Sequence, residues 1–469
     1  MMRKIFFLLS LTLLIACSRQ DANLQPTKGI SSTSTSLAPT PTILPTATTP
    51  IEVSCTDLDT AWGNGDWLVT LDILAELKTA VSRCGPTLVA EKQYAAHINY
   101  GITLENEDKT EQAIIQFQAA YQINVHGPEA VAGLLRNSAQ PIHDCQPTEP
   151  LSPYQPTKEN STFLQIQGNS FSRNNETFQM KGVNYYPRFA PWSYFWQESN
   201  LSDVEEEFQL LATAGLNTIR IFLHHNYFFT CRAEDSVPVA TSFDKLDNLI
   251  HLAAKYNLGL ILTLNDLPDL TFRPLYTKPQ SKTETEFIVR RYQHEPMILA
   301  WDLRNEGDID YGAHPAIEGH VSRDTVLAWL SEIATIVKQN DPNHLITAGW
   351  WGDPTETAEF VDFVSFHHWG NADELVPRIT QYHTKTNKPI LLQEVGYPAQ
   401  GEEGETYQAT MFPPILTTVQ NENLAGWIAW TAFDFAPYDD PFANQEKFFG
   451  LWQYDLTPKA FIKTATLNE

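Results

Sequence analysis

Ile298-Leu-Ala-Trp-Asp-Leu-Arg-Asn-Glu-Gly307 is the stretch from which the rest of the chain can be read. An apolar run from Met297 to Trp301 gives way to an Asn-Glu pair. Continuous apolar residues that turn polar at one end mark a parallel strand buried on both faces. On that reading Asn305 and Glu306 sit at the C-terminal mouth of a (β/α)₈ barrel, the end where such barrels keep their functional groups. Pro389-Ile-Leu-Leu-Gln-Glu394-Val-Gly396 repeats the pattern, again with a glutamate where the run ends.

Similar runs recur on both sides of this stretch. Phe178–Tyr186, Asn217–Leu223 and Leu258–Asn265 read as strands one to three, and the opening stretch as strand four. Helical patterns separate them at 202–214, 242–256 and 283–294, the first opening on a capping box, Ser202-Asp-Val-Glu205. Downstream, Leu345–Trp351, Val361–His368, Pro389–Val395 and Ala425–Trp430 read as strands five to eight. Helices are expected over Ser322–Asn340, Leu375–Thr386, 405–422 and Pro458–Leu467, with Pro413-Pro414 kinking or interrupting the third. Eight strands alternating with helices over residues 161–469 predict an α/β protein with a (β/α)₈ TIM barrel. A doubly wound sheet would typically carry a Gly-rich phosphate loop after an early strand, and none is present.

The residues before the barrel differ in character. Arg3 and Lys4 precede an apolar stretch, Ile5–Ile15, too short to span a bilayer comfortably. Leu14-Ile-Ala-Cys17 then resembles the bacterial lipobox. Residues 1–17 are therefore expected to be a signal peptide ending in a lipidated Cys17, with the rest exported and anchored at the cell surface. Residues 18–52, rich in Ser, Thr and Pro, read as a solvated linker. Residues 53–145 read as a helical module. Leu68, Leu71, Leu74 and Leu77 share one helix face, and the Gly101, Ala113, Phe117, Ala120 spacing resembles one tetratricopeptide repeat. His97 and Val125 replace that repeat's usual Trp and Pro. The module is expected either to dock a protein partner or to act as a spacer. Residues 146–160, with four prolines, read as a second linker crossed by few contacts. Cys55, Cys84, Cys145 and Cys231 allow three disulfide pairings between which sequence does not choose.

A formal charge of −25 opposes binding to nucleic acid or electrostatic docking on anionic lipid. Twelve Trp, 17 Tyr and 25 Phe serve equally as core or as platforms for sugar rings. Trp192, Tyr194, Trp196, Trp350, Trp351, Phe435 and Tyr438 lie near strand ends where either use is open.

Six motifs in order carry a resemblance: Lys181-Gly-Val-Asn184, Thr218-Ile-Arg220-Ile, Trp301-Asp-Leu-Arg-Asn305-Glu306, His367-His-Trp369, Gln393-Glu394-Val-Gly and Trp427-Ile-Ala-Trp430. With them, residues from about 163 to 469 resemble the retaining glycoside hydrolases of clan A, closest to family 5, the cellulases and mannanases. Gly307 departs from the proline many members have there. The resemblance implies two carboxyls about 5–5.5 Å apart across a sugar. Glu394 is expected to attack the anomeric carbon, and Glu306 to protonate the leaving oxygen and then deprotonate water. Arg220 would keep Glu394 ionised, because a nearby cation lowers a carboxyl pKa. Asn305 would hold the sugar 2-hydroxyl, His367 would hydrogen-bond at the site, and Trp430 would form its floor. Asn265, Trp369 and His224 are further candidates for contact with substrate. Asp302, Asp308 and Asp310 crowd near Glu306 at spacings that suit no metal site. No metal and no cofactor is expected. The implied substrate is a β-linked polysaccharide or oligosaccharide, a β-mannan or β-glucan. The rival readings are a transglycosylase with the same glutamates, and an inactive carbohydrate-binding or scaffolding lipoprotein.

Overall fold

A computed structural model of the chain describes residues 54–464, apart from short stretches at 81–82, 85–86, 108, 124–127, 138–148, 158–161, 193, 232–235, 267–274, 277–278, 315–320 and 437–445. Cys17, the 18–52 linker, Cys145 and Tyr438 lie outside the described residues. Eight strands close into one parallel barrel: β1 (Met180–Asn184), β2 (Thr218–Phe222), β3 (Gly259–Thr263), β4 (Ile298–Asn305), β5 (Leu345–Trp350), β6 (Val364–His367), β7 (Ile390–Val395) and β8 (Gly426–Ala429). Each pairs with its neighbour in sequence, and β8 pairs with β1. Every residue of β2, β3, β4, β6, β7 and β8 is buried, because helices cover one face and the barrel interior fills the other. The expected barrel is therefore present.

Two local expectations change. Asn200 rather than Ser202 caps helix Leu201–Thr213, its Oδ1 accepting from the Asp203 N–H at 2.9 Å. The box read at Ser202 thus lies inside the first turn. Helix Gly401–Asn421 runs through both Pro413 and Pro414 instead of stopping at them.

The N-terminal end of the barrel is closed by a device the sequence reading lacked. Gln165–Gln167, Ser170–Arg173 and Glu176–Phe178 form a three-stranded antiparallel sheet. Its two tight turns use Gly168, Asn174 and Asn175 at positive φ, residue types that adopt this conformation readily. Phe178, expected in the first barrel strand, belongs here. Leu164 and Phe171 pack with Met180, Ile261, Leu299, Phe363, Leu391 and Ile428, drawn mostly from the lower ends of the strands.

The proline-rich stretch before this sheet is also more engaged than expected. Leu151 and Tyr154 pack on the barrel's core. Tyr154 Oη donates to Glu295 at 2.7 Å, and Thr157 donates to the same carboxylate from its N–H at 2.8 Å and its hydroxyl at 2.7 Å.

The helical region comprises Cys55–Asn64, Trp67–Ala80, Val89–Asn106, Thr110–Ile123 and Pro128–Arg136. The Phe117 ring fills the space left by two glycines. A Cβ at Gly101 would lie 2.7 Å from that ring, and one at Gly133 2.4 Å from it. Cys55 and Cys84 form a disulfide, and Cys231 is also disulfide-bonded. Among the described residues no helix is long and apolar enough to cross a membrane.

Candidate active site

The polar side chains at the C-terminal end of the barrel converge on one guanidinium. Arg220 of β2 is fully buried, so each of its N–H groups needs an acceptor. Nη1 donates to Asn184 Oδ1 of β1 at 2.9 Å and to Glu394 Oε1 of β7. Nη2 donates to Asp302 Oδ2 at 2.7 Å and to Asn305 Oδ1 at 2.8 Å, both on β4. Nε donates to the same Asp302 oxygen and to Thr263 Oγ1 of β3, each at 3.0 Å. One arginine therefore fixes groups from four other strands. Because Asn305 Oδ1 faces Arg220, its amide nitrogen points the other way, donating to Asp266 Oδ1 at 2.9 Å.

Glu306 follows β4 with φ at 49°, a left-handed conformation a side-chain-bearing residue adopts at a cost. The next position must then be small. A Cβ at Gly307 would lie 2.7 Å from the Trp350 ring. His367 Nδ1 meets Glu306 Oε1 at 2.7 Å, and its Nε2 stands 3.6 Å from Glu394 Oε1. One oxygen of Glu306, one ring nitrogen of His367 and one oxygen of Glu394 all lie within 4.8 Å of one another. The glycine of β5 makes room for this arrangement, since a Cβ at Gly349 would lie 2.9 Å from His367 Nε2 and 2.1 Å from Gln393 Oε1.

Burial pushes both glutamates up to about 7. Arg220 opposes the rise at Glu306; His367 and Arg220 oppose it at Glu394. Burial also pushes His367 down to about 4, so the ring is neutral at pH 7. A single negative charge shared by the two carboxyls then belongs on Glu394, which alone of the pair touches Arg220. The proton belongs on Glu306. The same three groups are the one set among the described residues spaced to hold a metal ion. An ion there would face the Arg220 guanidinium that already sits on Glu394 Oε1, so the charge arrangement suits proton chemistry better.

Trp430 directly follows β8 and lies close to Trp192 and Trp369, at centroid distances of 5.5 and 6.4 Å. Its Nε1 donates to Glu446 Oε2 at 3.0 Å. Trp369 is 37% exposed and remains available as a platform. Other aromatics resolve as packing. Trp350 is fully buried with Nε1 on Tyr311 Oη at 3.0 Å, Trp196 is buried with Nε1 on Phe222 O at 3.0 Å, and Phe435 is buried against Tyr186 and Trp192.

Asn265 does not join the convergence. Its amide donates to Leu303 O at 3.0 Å and braces β4, while the next residue, Asp266, reaches Asn305. His224 does approach, with Nε2 3.9 Å from Asp266 Oδ2. The crowded acidic residues have separate tasks. Asp302 anchors Arg220, Asp308 accepts from the N–H groups of Trp351 and Gly352, and Asp310 pairs with Arg304 at 2.7 Å. Sequence reasoning missed Thr263, Asp266, Gly349 and Glu446. Thr263 and Gly349 interrupt apolar runs and could have been noticed; Glu446 carries no local signal.

Residues 171–435, more than half of the chain, match the family model described as Cellulase (glycosyl hydrolase family 5). The chain is 25% identical over 347 residues to mannan endo-1,4-beta-mannosidase A of Hypocrea jecorina, spanning 62% of this chain and 73% of that protein. It is 26% identical over 219 residues to probable mannan endo-1,4-beta-mannosidase F of Aspergillus flavus, spanning 40% of this chain and less than half, 44%, of that protein. Among solved structures, an exo-beta-1,4-mannosidase from Opitutaceae bacterium strain TAV5 shares the fold at a TM-score of 0.55 and 18% identity, covering 65% of this chain and 61% of that one.

Proposed function

We propose that this chain, which belongs to glycosyl hydrolase family 5, hydrolyses β-linked mannans with retention at the anomeric carbon. The observation that carries the mechanism is the close pairing of two unlike carboxyls. Glu306 and Glu394 present oxygens within 4.8 Å, and only Glu394 is held by a cation. Retaining enzymes place their carboxyls about 5–5.5 Å apart, whereas inverting ones leave about 6.5–9.5 Å for a water. The mannanase relatives support the sugar, and the partly exposed Trp369 beside Trp430 supports a platform for it.

In the first step Glu394 attacks the anomeric carbon while the Glu306 proton passes to the departing oxygen. Glu306 is left as a carboxylate, and a covalent glycosyl–Glu394 ester forms. In the second step Glu306 takes a proton from water, whose oxygen displaces Glu394 and restores both groups. Arg220 keeps Glu394 anionic and aligned, and Asn305 offers its Nδ2 toward the sugar beside the reacting carbon. His367, neutral, holds Glu306 through either protonation state.

Azide separates the two roles. Glu306→Ala and Glu394→Ala should each lose roughly 10⁴-fold or more on mannan. With an activated aryl β-glycoside, Glu306→Ala still forms the ester, and azide should release a β-glycosyl azide from it. Glu394→Ala should instead give the inverted α-azide. The opposite assignment of products, or an inverting wild type by NMR, would overturn the mechanism.

The proposal also puts the enzyme outside the cytoplasm on a lipid carried by Cys17. The order of Arg3, Lys4, the apolar run and Cys17 supports this, and the Cys55–Cys84 disulfide suits an oxidising compartment. Cys17→Ala should move the protein out of the membrane fraction without changing its turnover. Lipid labelling that persists in this variant would refute the anchor.

A further inference from the structure

Three polar groups at the mouth lack a hydrogen-bond partner among the described residues. Tyr186 Oη and His224 Nε2 are buried and bond to nothing among the described residues. Asp266 Oδ1 accepts from Asn305, but among the described residues Oδ2 meets only His224 Nε2 at 3.9 Å, beyond hydrogen-bond reach. The three residues follow β1, β2 and β3, adjacent strands of the barrel, and Asn305 ends the next strand. Tyr186 is held rigidly: its ring stacks on Phe222 at 5.4 Å and meets Trp430 edge-on at 6.3 Å. Burial, with Asp266 adding to it, raises both Glu306 and the Tyr186 hydroxyl, so the Asp266 charge faces the reacting groups. Buried polar groups are rarely left unbonded, and a cluster of them beside a catalytic pair points to a ligand that completes them.

The charges around this cluster narrow the ligand. Asp266 is an acceptor only, so it requires donors. Sugar hydroxyls are donors; a second carboxylate is not. Among the described residues, four arginines near the mouth are already held by oxygen: Arg220 by Asp302 and Glu394, Arg304 by Asp310, Arg188 by Glu207, and Arg378 by the carbonyls of His367 and Gly352. Glu446, beside Trp430, adds another acidic group.

We propose that Asp266 sets the sugar specificity of this site: with Tyr186 and His224 it receives the hydroxyls of a neutral hexose, and its charge turns away uronic acids. This rests on the glycosidase reading and deepens it. Asp266 accepts from one or two sugar hydroxyls through Oδ2, while Tyr186 Oη and His224 Nε2 bond to the same or neighbouring hydroxyls.

The test uses the full chain and matched 4-nitrophenyl β-glycosides: the neutral hexoside the wild type prefers and the uronide of the same configuration. Asp266→Asn keeps an acceptor for Asn305 but removes the charge. It should lower kcat/KM on the neutral hexoside by about 100-fold, because a group built for a hydroxyl is replaced. It should narrow the preference for neutral over uronide by about 10-fold or more, because the repulsion is gone. A residue that only props Asn305 would lower both substrates alike, so an unchanged ratio would overturn the proposal. Should that variant fold poorly, Tyr186→Phe, which keeps the stacked ring, should lose about 10-fold on the neutral hexoside; full activity there would overturn the cradle. A wild type inactive on every neutral β-glycoside would instead overturn the glycosidase reading, and this proposal with it.

Discussion

The two ends of the barrel are built from the same eight strands and hold opposite chemistry. At the N-terminal end Met180, Ile261, Leu299, Leu391 and Ile428 meet Leu164 and Phe171 of the small antiparallel sheet in an apolar cluster. At the C-terminal end Arg220, Asp302 and Glu394 form a buried ionic cluster, and Glu306 and His367 stand beside it. Between them runs a short polar belt, in which Thr347 and Ser365 hydroxyls lie 2.7 Å apart and Ser365 donates to Gln393 Oε1 at 3.2 Å. Apolar burial stabilises by about 25 cal/mol per Å². Buried ion pairs gain little against well-packed apolar groups, since desolvation offsets their attraction. The mouth, with charged groups taken from water and Glu306 in a left-handed backbone, therefore weakens the fold in return for chemistry. The closed end supplies the stability that makes this tolerable.

A crossed pair of substitutions can break that contrast. Phe171→Ala removes a ring that meets Phe363 edge-on at 4.9 Å and is almost fully buried. It should destabilise by about 3–5 kcal/mol in denaturant unfolding, yet leave kcat near wild type well below the melting temperature. Glu306→Gln should do the reverse, abolishing turnover while stabilising. Its sign follows from the raised pKa. Burial takes the Glu306 carboxyl from 4.5 up to about 7. The group is therefore harmless to the fold at low pH, and stability is lost as pH rises through that window. The amide cannot ionise, so the variant's advantage should be near zero at low pH and on the order of 3 kcal/mol well above neutrality. Melting curves across pH read this directly. A Phe171→Ala protein that loses turnover while folded, or a Glu306→Gln protein with no pH-dependent advantage, would show that the two ends do not divide their labour.

The contrast also explains what the sequence disclosed. Strands buried on both faces are mostly apolar, so most of the barrel strands were visible as runs. Side chains at the mouth interrupt those runs, so Arg220, Asn305, Glu306, His367 and Glu394 stood out, and the structure brings them together. Asn265 and Asp266 show where this fails. Which of two adjacent polar residues faces the site depends on local register. β3 and β4 pair with a shift between Leu260 and Ile261, and β4 and β5 with one between Asp302 and Asn305. Such an irregularity redirects side chains without any compositional mark. The antiparallel sheet escaped because its strands are three or four residues long, too short for alternation to emerge. Glu446 escaped because it reaches Trp430 from outside any strand.

Glu446 offers the finest test of how charge is set at the mouth. It is partly buried, and its Oε2 takes the Trp430 indole N–H at 3.0 Å. Burial raises this carboxyl, the Trp430 hydrogen bond opposes the rise, and Glu306 adds to it. The interaction with Glu306 is mutual, so an ionised Glu446 helps keep the Glu306 proton in place. In the proposed mechanism Glu306 is the general acid and must be protonated, so turnover should fall as pH rises through about 7. Glu446→Gln retains an oxygen for the Trp430 N–H and removes only the charge. Without that charge the Glu306 proton is held less firmly, so the alkaline limb of the pH–rate profile should move to lower pH. At acidic pH, where Glu306 is protonated in both proteins, kcat should agree within about twofold. A limb that stays in place, or moves upward, would mean that Glu446 serves only to hold Trp430.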